Sequence, residues 1–132
     1  LALVNGVLNG LIGVDLQTIL GYILYPVAFL MGIPSSELLT AGGIMGTKIV
    51  ANEFVAMLDL EPLIPTLTEK TVGTVTAFLI SFANFSSVGI IIGAVQAIND
   101  EKAKEVAGFG LKMLLVATMG SILTATMVGL FL

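Results

Sequence analysis

Residues 71–99 contain no charged residue, and at the centre of that run stands SFANFSS, with Ser81, Asn84, Ser86 and Ser87. Roughly 20 apolar helical residues suffice to cross a bilayer, so the run is long enough to span. A continuous helix would place the Asn84 amide inside hydrocarbon, at a cost of several kcal/mol if its donors and acceptor found no partners. If the helix instead unwinds near residues 82–87, the freed backbone groups join Asn84, Ser86 and Ser87 in a polar site at mid-membrane. Secondary transporters build binding sites from discontinuous helices of this kind. A lone Ser or Asn in a span more often bonds a neighbouring helix. Asn84 beside Ser87, and the ionisable Glu53 in apolar surroundings, favour a site instead. The alternative for Glu53 is an interfacial ion pair with Lys48.

Composition narrows the class further. Of 132 residues, 57% are hydrophobic and 11% are charged, and the mean hydropathy of +1.09 is that of a membrane protein rather than a soluble domain. Cysteine and histidine are absent, which removes disulfides, the usual zinc ligands and the commonest general base. No catalytic residue and no metal site is expected. A net charge of −4 and the lack of any arginine argue against nucleic acid as a partner. The chain opens on Leu1 with no basic leader region, so no signal peptide is recognised and an amino-terminal truncation is expected.

Along the chain, residues 1–14 are apolar but too short to cross and read as the end of a helix. Asp15 is a helix N-cap for residues 16–34, which are long enough to span. Tyr22, Tyr25 and Pro26 leave lying in the interface as an equal alternative. Residues 35–60 hold two half-length apolar pieces, the first loosened by Gly42, Gly43 and Gly46, around the polar pair Asn52 and Glu53. That pattern suggests a re-entrant hairpin. Residues 59–70, with Pro62 and Pro65 among acidic residues, read as a surface connection. NDEKAKE (99–105) reads as a short aqueous loop, and 106–132 as the last span. Small residues at four-residue spacing form packing seams: Ala117, Ser121, Ala125 and Gly129 in the last span, Gly73, Ala77 and Ser81, then Gly89, Gly93 and Ala97, in the preceding one.

GTKIVANEFVAMLDL (46–60), followed by ISFANFSSVGIIIGAV (80–95), closely resembles the carboxy-terminal region of the concentrative nucleoside transporters. The pair NEF and FANFSS, in this order and at this separation, is specific, and the match covers essentially the whole chain. The resemblance implies an all-α membrane protein: residues 1–14 end a scaffold helix, 16–33 lie in the interface, 35–60 form a re-entrant hairpin, 71–98 a discontinuous transmembrane helix and 106–132 a continuous one. It implies that Glu53 contacts ribose hydroxyls together with Asn84 and Ser87, and that Phe82 lines the same pocket. Independently, vicinal ribose hydroxyls can donate to a carboxylate and accept from an amide or hydroxyl, which suits these residue types. Asn52 reads as a structural hairpin residue, and Lys48 as a partner for carbonyls or for a carboxylate.

The family's base-contacting residues and its coupling-cation site, for Na+ or H+, lie upstream of the matched region. The resemblance therefore implies that this chain supplies the ribose-binding half of the site. Its expected partners are a nucleoside, the lipid bilayer and an amino-terminal half in the same or another chain. A complete assembly would be a homotrimer in the cell (inner) membrane, transporting by alternating access. The rival class is a structural or channel-like membrane subunit, which would be indifferent to ribose hydroxyls. An intramembrane enzyme ranks last, because Glu53 has no neighbouring nucleophile or base.

Overall fold

The computed structural model describes residues 2–132. Among these residues the fold is all-helical: α1 (Ala2–Ile12), α2 (Leu16–Leu30), α3 (Leu38–Val50), α4 (Glu53–Leu60), a 3₁₀ segment (Glu61–Thr66), α5 (Glu69–Leu79), α6 (Phe85–Gln96) and α7 (Asp100–Leu130). Capping residues set most of these starts. Asp15, Asn52, Thr68, Asn84 and Asn99 each accept a hydrogen bond from the backbone N–H three residues ahead, as short polar side chains at N-caps do. The Thr18 hydroxyl, together with the Thr18 N–H, holds the Asp15 carboxyl below the usual carboxylate range. Its contribution is present above the unfolded-state pKa and is lost as pH falls through the folded-state value.

α1 and α2 meet at 87°. Their corner is fixed by Asn5, whose Oδ1 accepts from Leu16 N–H at 2.9 Å and whose amide donates to Gln17 at 2.8 Å. α2 runs through Pro26 without interruption. It lies so close to α3 that the glycines expected to loosen α3 act as contact points. A Cβ on Gly42 would sit 2.7 Å from the Gly21 carbonyl oxygen, and one on Gly43 would sit 2.9 Å from that of Gln17. Backbones approach this closely only where side chains are missing. The buried core is drawn from α2, α3, α4, α5 and α7, and includes Ala28, Leu38, Met45, Val75, Phe78 and Ala125.

Two expectations are corrected. Residues 100–105 are not a loop: Asn99 caps them, and Lys102 pairs with Glu105 at 2.9 Å one turn on, so the charged stretch is the first part of α7. At 1.5 Å per residue α7 is about 46 Å long, more than a hydrocarbon core of about 30 Å, and its charged end can stand in water. The second correction concerns the seams. Ser121, Ala125 and Gly129 are buried but Ala117 is exposed, its place on the buried stripe being taken by Leu114 and Gly110. Gly89 and Gly93 have open space beside them, and α6 meets α7 through Val88 and Ile92 packed against Gly110.

Candidate functional site

Two asparagines start two helices, and one carboxylate lies between them. Asn52 Oδ1 accepts from Val55 N–H at 2.9 Å and caps α4. Asn84 Oδ1 accepts from Ser87 N–H at 2.7 Å and caps α6. Glu53 is the first residue of α4, and its Oε2 accepts from the Asn84 amide at 2.7 Å. The carboxylate thus sits at the N-terminal ends of two helices, where the partial positive charge of unpaired N–H groups favours an anion. Its other oxygen, Oε1, has no hydrogen-bond partner among the described residues.

Between α5 and α6 the chain is unwound over residues 81–84. Asn84 N–H donates to the Phe82 carbonyl at 2.9 Å, a tight local turn that throws the Phe82 ring outward, 75% exposed, while Ala83 and Asn84 are buried. Glu53, Asn84 and Ser87 are therefore joined by hydrogen bonds, and Phe82 adjoins them through its backbone. Asn84 is fully buried in this chain, with its amide already committed to Glu53 and to the α6 cap. It holds Glu53 in place more directly than it presents a free group. Ser86 and Ser87, expected near unwound backbone, lie in the first turn of α6 because Asn84 starts that helix.

Asn84→Ala removes the cap and leaves Glu53 Oε2 without its donor. Cap loss costs about 0.5–2 kcal/mol, and the lost hydrogen bond to the partly buried Glu53 carboxylate adds to it. A clear drop in thermal midpoint in detergent is expected, and a variant as stable as the wild type would show that the cap and the carboxylate contact are dispensable.

A second polar cluster lies on the other side of the unwound segment, and the sequence pattern did not reveal it. Lys48, on the last turn of α3, is fully buried. Its Nζ donates to Ser81 Oγ at 2.8 Å and lies 4.5 Å from the centre of the Phe78 ring. Ser81 Oγ is also hydrogen-bonded to Ser121 Oγ of α7, and Ser121 donates to the Ala117 carbonyl at 2.9 Å. The alternative reading of Glu53, an ion pair with Lys48, is not formed: among the described residues the only ion pair within 4.0 Å joins Lys102 and Glu105. The hints in the sequence were a cation inside an apolar helix and two serines at seam positions.

A family profile described as the C-terminus of Na+ dependent nucleoside transporters matches residues 1–129. The chain belongs to this family. Purine nucleoside transport protein NupG of Bacillus subtilis (strain 168) is 44% identical over 130 residues, covering 97% of this chain and 33% of the relative. Putative nucleoside permease NupX of Escherichia coli (strain K12) is 40% identical over 121 residues, covering 89% of this chain and 29% of the relative. The solved structure of CNTnw in an inward-facing substrate-bound state superposes with a TM-score of 0.89 at 33% identity, over 98% of this chain and 32% of that one. The chain thus spans about a third of the length of the relatives it matches. The family is one of integral membrane transporters rather than enzymes.

Proposed function

We propose that this chain forms the ribose-binding wall of a nucleoside site in a cation-coupled transporter that works by alternating access. The observation that carries the reading is Glu53: one carboxylate oxygen is fixed by Asn84 at 2.7 Å, and the other is left to accept from a ligand at the mouths of two helices. Two ribose hydroxyls are the donors such an oxygen can select. Because the oxygen would otherwise lack a partner in a poorly solvated pocket, analogues without those hydroxyls are rejected strongly. Ser87, tied to Asn84 through its backbone N–H, contributes its hydroxyl to the same wall, and the exposed Phe82 ring packs on sugar or base without dictating which base is present.

Helix lengths support a membrane arrangement for the chain. Among the described residues only α7 is by itself long and apolar enough to cross. We assign it as the continuous last helix, within 106–132. α3 and α4, of 13 and 8 residues, are each too short to span and make the re-entrant hairpin of residues 35–60. α5 and α6, of 11 and 12 residues, are the halves of the discontinuous helix 71–98. α2 lies in the interface (16–33), its Tyr22 and Tyr25 exposed one turn apart, and residues 1–14 end a scaffold helix. Base recognition and the Na+ or H+ site belong to portions of the transporter upstream of the matched region. The assembly is a homotrimer in the cell membrane.

Binding of uridine and adenosine, with their 2′,3′-dideoxy analogues, to the assembled transporter in detergent tests this reading. Binding that requires the hydroxyls is expected. Equal binding with and without them, or none, would leave a structural or channel-like subunit.

A further inference from the structure

The unwound residues 81–84 are anchored at both ends, and both anchors come from the junction of α3 and α4. At the far end Glu53 holds Asn84; at the near end Lys48 holds Ser81. Ala51 and Asn52 form the turn between the two helices that carry these anchors. The electrostatics are matched as well. Glu53 lies at the N-terminal ends of α4 and α6, while Lys48 lies in the last turn of α3 and meets the chain just past Ile80, the C-cap of α5. A cation at helix C-termini and an anion at helix N-termini are each the favourable placement.

Volume alone does not explain Lys48. A methionine would fill much the same space without burying a charge, and an ionisable side chain inside apolar sequence is costly. The ammonium has three N–H donors. One is aimed at Ser81 Oγ, the Phe78 ring faces it at 4.5 Å, and no carboxylate pairs with it among the described residues. Because Ser81 accepts from Lys48 and Ser121 commits its proton to the Ala117 carbonyl, Ser81 must donate to Ser121. The result is a directed chain of hydrogen bonds from α3, through the first unwound residue, to α7. Such chains strengthen cooperatively.

We infer that Lys48 is a positioning residue for the substrate site: through Ser81 and Ser121 it fixes where the unwound segment leaves α5, so that Phe82 emerges outward and Asn84 arrives on Glu53. This rests on the ribose-site reading above. Lys48 touches no substrate and acts only through the segment it holds.

The test uses Lys48→Met, Ser81→Ala and the double variant in the assembled transporter, with two readouts: thermal midpoint, and the ratio of affinities for uridine and 2′,3′-dideoxyuridine. A role in packing alone would change the amount of folded protein and leave the ratio unchanged. Positioning predicts folded variants in which the ratio falls roughly ten-fold, with the double variant no worse than the poorer single one. A folded single variant with the wild-type ratio overturns the inference. So does failure of both single variants to fold, since that assigns the cluster to stability. Should Lys48→Met alone fail to fold, Ser81→Ala decides, because it removes only one oxygen. A wild-type ratio near one overturns the ribose reading itself, and this appears in the reference arm before any variant is compared.

Discussion

Glu53→Gln weakens nucleoside binding by roughly 10- to 100-fold, the equivalent of a hydrogen bond to a charged group at about 1.5–3 kcal/mol. Gln matches Glu in shape, and its carbonyl oxygen can still accept from the Asn84 amide, so the contact that ties α4 to α6 is preserved. The second position changes character. Where Oε1 could accept from ribose, Gln presents an NH2 group that can only donate, and the charge favoured by two helix N-termini is gone. The effect should therefore belong to the ribose hydroxyls. Wild type and variant should bind 2′,3′-dideoxyuridine with similar weak affinity, while uridine separates them. Titration of both ligands into detergent-solubilised protein of matched monodispersity makes the comparison. Normal uridine affinity in the variant would sink the assignment of Glu53, and an equal loss for both ligands would point to a displaced α4 instead.

The sequence made the unusual segments legible more readily than their local conformation. SFANFSS pointed to an unwound stretch near residues 82–87, and the chain is unwound at 81–84. The offset has a simple origin: Asn84 is an N-cap, so the polar residues after it are the first turn of α6 and not irregular backbone. Asn99 acts likewise on NDEKAKE, where charge suggests a loop although a capped, ion-paired helix end is equally at home in water. Gly42, Gly43 and Gly46 suggest local weakness, but their effect depends on what lies opposite, which the sequence does not state. Opposite them is α2. The link between Lys48 and Ser81 was hidden for the same reason, being set by tertiary placement across 33 residues. Glu53 and Asn84, 31 residues apart, were paired through the family resemblance and not through spacing.

Gly42→Ala destabilises the fold by about 1–3 kcal/mol, the usual cost of forcing extra volume into a packed interface, whereas Gly120→Ala leaves it unchanged or up to about 1 kcal/mol more stable. Both changes add one methyl group inside a helix. They differ in what the methyl meets. At position 42 it lies 2.7 Å from the Gly21 carbonyl oxygen and 3.3 Å from the Gly21 Cα, which are backbone atoms with no rotamer to change, so α2 and α3 must move apart. At position 120 nothing lies within 4 Å, and the gain is the ordinary helix propensity of Ala over Gly. Thermal unfolding in detergent, followed by helical circular dichroism, compares the pair directly, and a Gly42→Ala protein as stable as wild type would refute the close approach of the two helices. The consequence extends beyond stability, because α3 carries Lys48 in its last turn and leads through Asn52 to Glu53. Moving α3 off α2 shifts both anchors of the unwound segment together. Gly42→Ala protein that remains folded should therefore also discriminate less well between uridine and its dideoxy analogue, while Gly120→Ala protein retains full discrimination.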